Sequence, residues 1–139
     1  MEPIVITLDG VPCGKGRPRF SRKTGGCFTP AKTRNYESDL KVMAQIAMVG
    51  KNPLEGALQI SIYAAFPVPA SWSQKKRAAA LAGEIRPAGK PDYDNVAKIV
   101  GDALNQIVWR DDSQIVSAAV HKHYSEKPTL KLAVWGASS

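Results

Sequence analysis

The stretch Leu58-Gln59-Ile60-Ser61-Ile62-Tyr63-Ala64-Ala65-Phe66 alternates along its length and is closed by Pro67, so it reads as a β-strand with one buried face. Further on, Val96, Ile99, Val100, Ala103, Leu104 and Ile107 recur with the 3.6-residue period of a helix. A chain that carries both periods must pack helix against sheet. The flanking segments fit that frame. Ile4, Ile6 and Leu8 alternate with Val5 and Thr7, a first strand ending near Asp9-Gly10. Arg19-Phe20-Ser21-Arg22 and Cys27-Phe28-Thr29 flank Lys23-Thr24-Gly25-Gly26, a hairpin whose glycines supply positive φ. Thr29-Pro30 reads as a cap and first helical position of a helix running to about Val49, with Tyr36, Leu40, Met43 and Ala47 on one face. Ser71 or Ser73 caps a short helix through Lys75, Lys76 and Arg77, and Asp94 caps the helix that carries Val96. Gln114 to Tyr124 and Thr129 to Trp135 are β-rich, joined by Ser125-Glu126-Lys127-Pro128. Helices and strands neither alternate strictly nor segregate. The expected fold class is therefore α+β, a mixed β-sheet packed by helices, in one small domain spanning residues 1–139.

Several classes drop out. No apolar run approaches the ~18 residues needed to span a bilayer, so no membrane partner is expected. Met1-Glu2-Pro3 lacks the basic opening of a secretory signal, which predicts a cytoplasmic protein. Cys13 and Cys27 are too few for a disulfide framework or a four-ligand zinc site.

Charge separates along the chain. Between Gly10 and Tyr36 lie Lys15, Arg17, Arg19, Arg22, Lys23, Lys32 and Arg34 with no acid among them, seven positive charges that equal the formal net charge of +7. Asp92, Asp94, Asp102, Asp111 and Asp112 crowd a later segment in which Lys98 and Arg110 are the only bases. A basic arm, residues 11–35, beside an acidic cluster suggests a polyanion held at one place and a metal at another. Phe20 and Phe28 within the arm either wedge between unstacked bases or pin the hairpin to the body.

The acids have a defined arrangement. In Lys90-Pro91-Asp92-Tyr93-Asp94-Asn95, Pro91 ends any preceding helix and the helical period begins only at Val96, so Asp92 and Asp94 sit where loop becomes helix. In extended backbone two such residues face one side, and either Asp111 or Asp112 can join them from the entry to the next strand. Oxygen ligands without a thiolate or a placed histidine describe a site for Mg²⁺, with Mn²⁺ as substitute, rather than zinc. Lys98, four residues after Asp94, rises from the same helical face and could steady charge on a phosphate. The plainer account makes Asp94 a helix cap, Asp92 a turn residue, and Asp94–Lys98 an exposed ion pair of ~0.3–0.5 kcal/mol. His121 and His123 share a strand face without a third ligand and read as structural, while Trp109 could pack beneath the acids.

Lys90-Pro91-Asp92-Tyr93-Asp94-Asn95, Gly101-Asp102-Ala103-Leu104-Asn105 and Val108-Trp109-Arg110-Asp111-Asp112-Ser113-Gln114, with the arm Gly14-Lys15-Gly16-Arg17-Pro18-Arg19-Phe20 and Thr29-Pro30 through Tyr36-Glu37, together resemble the RusA family of Holliday junction resolvases, in its phage-type form. The resemblance implies a homodimeric, Mg²⁺-dependent endonuclease that resolves four-way DNA junctions by paired symmetric nicks in recombination and repair. By position it implies that Asp92, Asp94 and Asp112 bind metal and that Lys98 is the catalytic lysine, with Asp111 and Asp102 ranked below them. Lys15, Arg17, Arg19, Arg22, Lys23, Lys32 and Arg34 are the expected DNA contacts. The rival readings are a non-catalytic nucleic-acid-binding protein and a metal-dependent flap or fork nuclease.

Overall fold

The computed structural model describes residues 2–15, 19–20, 27–28 and 31–137, and for 19–20, 27–28 and 31–33 the backbone alone. Its centre is the alternating segment expected to be a strand. Leu58, Ile60, Ile62 and Ala64 of β4 (Leu58–Pro67) are buried on one face. Around it lie β1 (Ile4–Asp9), β5 (Ile115–Ser125) and β6 (Thr129–Gly136) in the order β1-β6-β4-β5. β4 runs parallel to β5 and antiparallel to β6, and β1 runs antiparallel to β6, so the sheet is mixed. The short connection after Ser125 does not build a hairpin: β4 separates β5 from β6. β4 holds one of the two inner places, where it pairs on both sides.

β2 (Arg19–Phe20) and β3 (Cys27–Phe28) pair antiparallel as the expected hairpin, with Arg19 opposite Phe28 and Phe20 opposite Cys27. The turn between them and the Thr29-Pro30 cap lie outside the described residues. α1 (Ala31–Ala47) packs against β1 and α3 and buries Tyr36, Leu40 and Ala44. α2 (Gln74–Leu81) is capped by Ser73, whose side chain accepts from the Lys76 N–H at 3.2 Å, which decides between the two candidate serines. α3 (Tyr93–Leu104) buries Val96, Ile99, Val100, Ala103 and Leu104 and packs against α1 and β5. Fully burying such a side chain is worth ~1.5–3 kcal/mol. Five of them on one stripe leave α3 no freedom to rotate, so its polar residues are fixed in azimuth as firmly as its core residues. The α+β class with a mixed, helix-packed sheet is what the structure shows.

Candidate functional site

α3 begins two residues earlier than a cap at Asp94 would place it. Its N-cap is Asp92 in extended conformation, not Asp94, and the Asp92 carboxylate makes no capping hydrogen bond. Asp94 therefore sits inside the first turn. Spaced by four, Asp94, Lys98 and Asp102 rise along one flank of the helix. With Asp112 and Trp109 they line a cavity of about 300 Å³, floored by Ile60, Ile62, Ile115 and Ala118. Asp94 in the favourable first turn of the helix, with Asp102 and Asp112 over an apolar floor, makes a charged pocket with low-dielectric walls.

Asp112 arrives from the other side of the chain fold. Asn105 to Trp109 form a tight turn, with Gln106 at φ 67° and its N–H donating to the Trp109 carbonyl at 2.6 Å. This turn drives the Trp109 indole into the core, 1 % exposed. A buried indole N–H needs an acceptor, and Asp112 Oδ1 supplies it at 2.7 Å. One carboxylate oxygen is thereby fixed. The other oxygen, Oδ2, faces Gly101 of α3, where a Cβ would stand in ordinary contact at 3.5 Å.

The adjacent acid has a different task. Asp111 caps a one-turn 3₁₀ helix (Asp112–Gln114): its side chain accepts from the Ser113 hydroxyl and, at 3.3 Å, from the Ser113 N–H. Gln114 Oε1 in return accepts from the N–H groups of Arg110 and Asp111, closing a capping box. The Ser113 hydroxyl bond, helped by backbone N–H donors, holds the Asp111 carboxyl below its ordinary value of 3.8. Folding therefore gains from this cap above that ordinary value and loses it as pH falls through the depressed folded-state value. Asp111→Ala should lower the melting temperature slightly at neutral pH, with the difference shrinking in strong acid, which melts at several pH values check.

The expected site residues are thus partly gathered. Asp94, Lys98 and Asp112 share one cavity, with Asp102 beside them. Asp92 faces the neighbouring depression, lined also by Tyr93, Asp94, Gly89 and Lys122, and its oxygens lie 3.1 and 3.2 Å from Lys90 Nζ. Among the described residues, no group of three His, Cys, Asp or Glu is close enough to hold a metal ion. Asp94 and Lys98 make no ion pair with each other among the described residues, so the exposed i, i+4 pair is not formed. Of the expected DNA contacts, Arg17, Arg22 and Lys23 lie outside the described residues, Arg19 is in β2, and Lys32 and Arg34 are in the first turn of α1. Lys15 is engaged within the protein, 2.5 Å from Glu37 Oε1 and 3.3 Å from Asp102 Oδ2.

Two residues escaped the reading of the sequence. Glu37 enters through Lys15. Lys122 reaches the Gly89 carbonyl at 2.6 Å beside Asp92 and Asp94. A signal for Lys122 existed: it shares a strand face with Val120 and Tyr124, an unusual place for a lysine without a task.

The donor set suits a hard cation. Mg²⁺ is commonly held by one or two carboxylates together with water and substrate phosphate, and Asp94 and Asp112 offer two carboxylates to one cavity, with Asp112 braced by Trp109. Paired acids and a lysine in one cavity, on the flank of a helix, are residue types that metal-assisted hydrolysis employs. A family model described as "Endodeoxyribonuclease RusA" matches residues 9–134, and the chain belongs to that family of endonucleases. It is also 34% identical, over 96% of either chain, to a protein of Bacillus subtilis (strain 168) described as "Uncharacterized protein YqaN". Among the described residues, no helix is long and apolar enough to cross a membrane.

Proposed function

We propose that this protein is a divalent-metal-dependent endonuclease that resolves four-way DNA junctions in recombination and repair, acting as a homodimer that places paired nicks. The observation that carries the reading is the meeting of Asp94, Lys98 and Asp112 in one cavity from two separate segments. Symmetric resolution needs two nicks, and Asp94, Lys98 and Asp112 supply one such cavity per chain among the described residues. Two copies about a two-fold axis match the symmetry of the junction.

Asp94 and Asp112 would hold Mg²⁺, while Asp92, which the family resemblance also makes a ligand, lies in the neighbouring depression beside Lys90. When bound, the ion supplies an activated water and neutralises charge on the phosphate. The chain's own residues do the rest. Trp109 fixes one oxygen of Asp112, so that carboxylate is oriented before any substrate arrives. The Lys98 ammonium, unpaired among the described residues, is available to stabilise charge that develops on the phosphodiester oxygens. The apolar floor of Ile60, Ile62 and Ile115 keeps bulk water from one side of the site and strengthens these interactions.

The basic arm supplies affinity through phosphates rather than bases. Replacing Arg17 and Arg19 by Ala should reduce the slope of log K against log salt by roughly 0.9 for each true phosphate contact. The metal response at saturating DNA should stay unchanged, and an unaltered salt slope would remove both arginines from the interface. The deciding experiment incubates the protein with a labelled four-way junction, a fork and a linear duplex, with and without Mg²⁺. Paired symmetric nicks in the junction, only with the metal, are expected. Preferential cutting of the fork would make it a fork nuclease, and binding without cutting would make it a non-catalytic binder.

A further inference from the structure

Asp102 poses a difficulty for any two-carboxylate ion site. It stands one turn beyond Lys98 on the flank of α3 that carries Asp94, and it lines the same cavity as Asp94 and Asp112. A third carboxylate lining the same cavity would, if released, compete for a cation or repel a phosphodiester. Here its Oδ2 is already occupied by Lys15 Nζ at 3.3 Å.

Lys15 is not a loose surface lysine. Its backbone N–H donates to the Asn95 carbonyl at 2.9 Å, in the first turn of α3. Gly14 before it lies so close to that turn that a Cβ would stand 2.7 Å from the Pro91 Cβ and 2.9 Å from the Asn95 Cβ. Only a glycine lets the segment lie against the residues flanking Asp92 and Asp94. From this anchored backbone the side chain runs between two carboxylates, Glu37 Oε1 of α1 at 2.5 Å and Asp102, and Glu37 Oε2 is in turn 3.7 Å from Lys41. The result is a chain of alternating charge, Lys41–Glu37–Lys15–Asp102, neutral as a whole and joining α1, the start of the basic arm and α3. Its inner members are largely shielded, with side chains 22 % exposed for Lys15 and 16 % for Glu37. Glu37, opposed by burial and helped by Asp102, raises the Lys15 ammonium above its ordinary value, so it remains a cation at any working pH.

We infer that Lys15 is a positioning residue of the nuclease site: by holding Asp102 in an ion pair shared with Glu37, it keeps that carboxylate out of the metal's ligand set and leaves Asp94 and Asp112 to define it. The inference rests on the reading of the site given above. It also moves Lys15 from the DNA-contacting face of the arm to its anchor.

The test is calorimetric titration of the DNA-free protein with Mn²⁺, together with melting curves, for wild type, Lys15→Met, Asp102→Asn and the double variant. Releasing a carboxylate at the mouth of the site should tighten Mn²⁺ binding by roughly tenfold in Lys15→Met. The double variant should return to within about twofold of wild type, because the released group is gone. Lys15→Arg keeps the cation and should bind Mn²⁺ more nearly as wild type than Lys15→Met does. Unchanged binding in Lys15→Met, or a change that Asp102→Asn fails to reverse, would overturn the inference. Should Lys15→Met not fold, Asp102→Asn alone decides: binding within about twofold of wild type supports the inference, and a loss as deep as that of Asp94→Asn would make Asp102 a ligand and end it. Absence of Mn²⁺ binding in the wild type, or binding indifferent to Asp94→Asn, would instead sink the metal-site reading and this inference with it.

Discussion

Asp94→Asn and Asp112→Asn should each reduce nicking of a four-way junction by roughly 10³-fold, the loss expected when charge at the reacting centre goes uncompensated. Both substitutions remove a charge and keep the shape. At position 112 the choice of Asn matters, because its amide oxygen can still accept from the buried Trp109 N–H, now satisfied by Asp112 at 2.7 Å. Asp112→Ala would strand that donor at a cost of ~1–3 kcal/mol and confuse a catalytic effect with a folding one. The Asn variants should melt within a few degrees of wild type and bind the junction at least as tightly, since one carboxylate fewer faces the phosphates. Single-turnover cleavage, binding at several salt concentrations and a thermal melt separate the three effects. Wild-type rates in both variants would end the metal-site reading.

Lys98→Ala carries the second largest effect, a fall in cleavage rate of roughly 10²–10³-fold with little change in junction affinity or in the metal concentration at half-maximal rate. The lysine lines the cavity between Asp94 and Asp102 and, among the described residues, is paired with neither. Its charge is therefore available to a ligand. Because Lys98 is exposed on a helix whose opposite stripe is buried, its loss should leave stability nearly unchanged. A variant that loses affinity while keeping its rate at saturating DNA would make Lys98 a phosphate contact instead. Rate measured at saturating DNA against rate at limiting DNA distinguishes the two outcomes.

Local pattern in the sequence carried much of this protein. The period-two segment at Leu58–Phe66 and the period-3.6 segment from Val96 set the two kinds of element, because one buried face demands one spacing and no other. Those same periods put Asp94, Lys98 and Asp102 on one helical flank, since four residues advance the chain by little more than a turn. What the sequence left open was every contact between distant segments. Either Asp111 or Asp112 could have joined the acids on spacing alone. The turn that buries Trp109 decided it by pairing the indole with Asp112, while Ser113 and Gln114 drew Asp111 into a cap. Lys15 read as one cation among seven, and only the packing of Gly14 against Pro91 and Asn95 turned it towards Glu37 and Asp102. The order of the sheet was decided in the same way: adjacent segments Ile115–Ser125 and Thr129–Gly136 are parted by a strand that precedes them both. Periodicity is a property of neighbours along the chain and is legible there. Charge pairing, register and strand order depend on which surfaces meet, and that is settled only when the whole core closes.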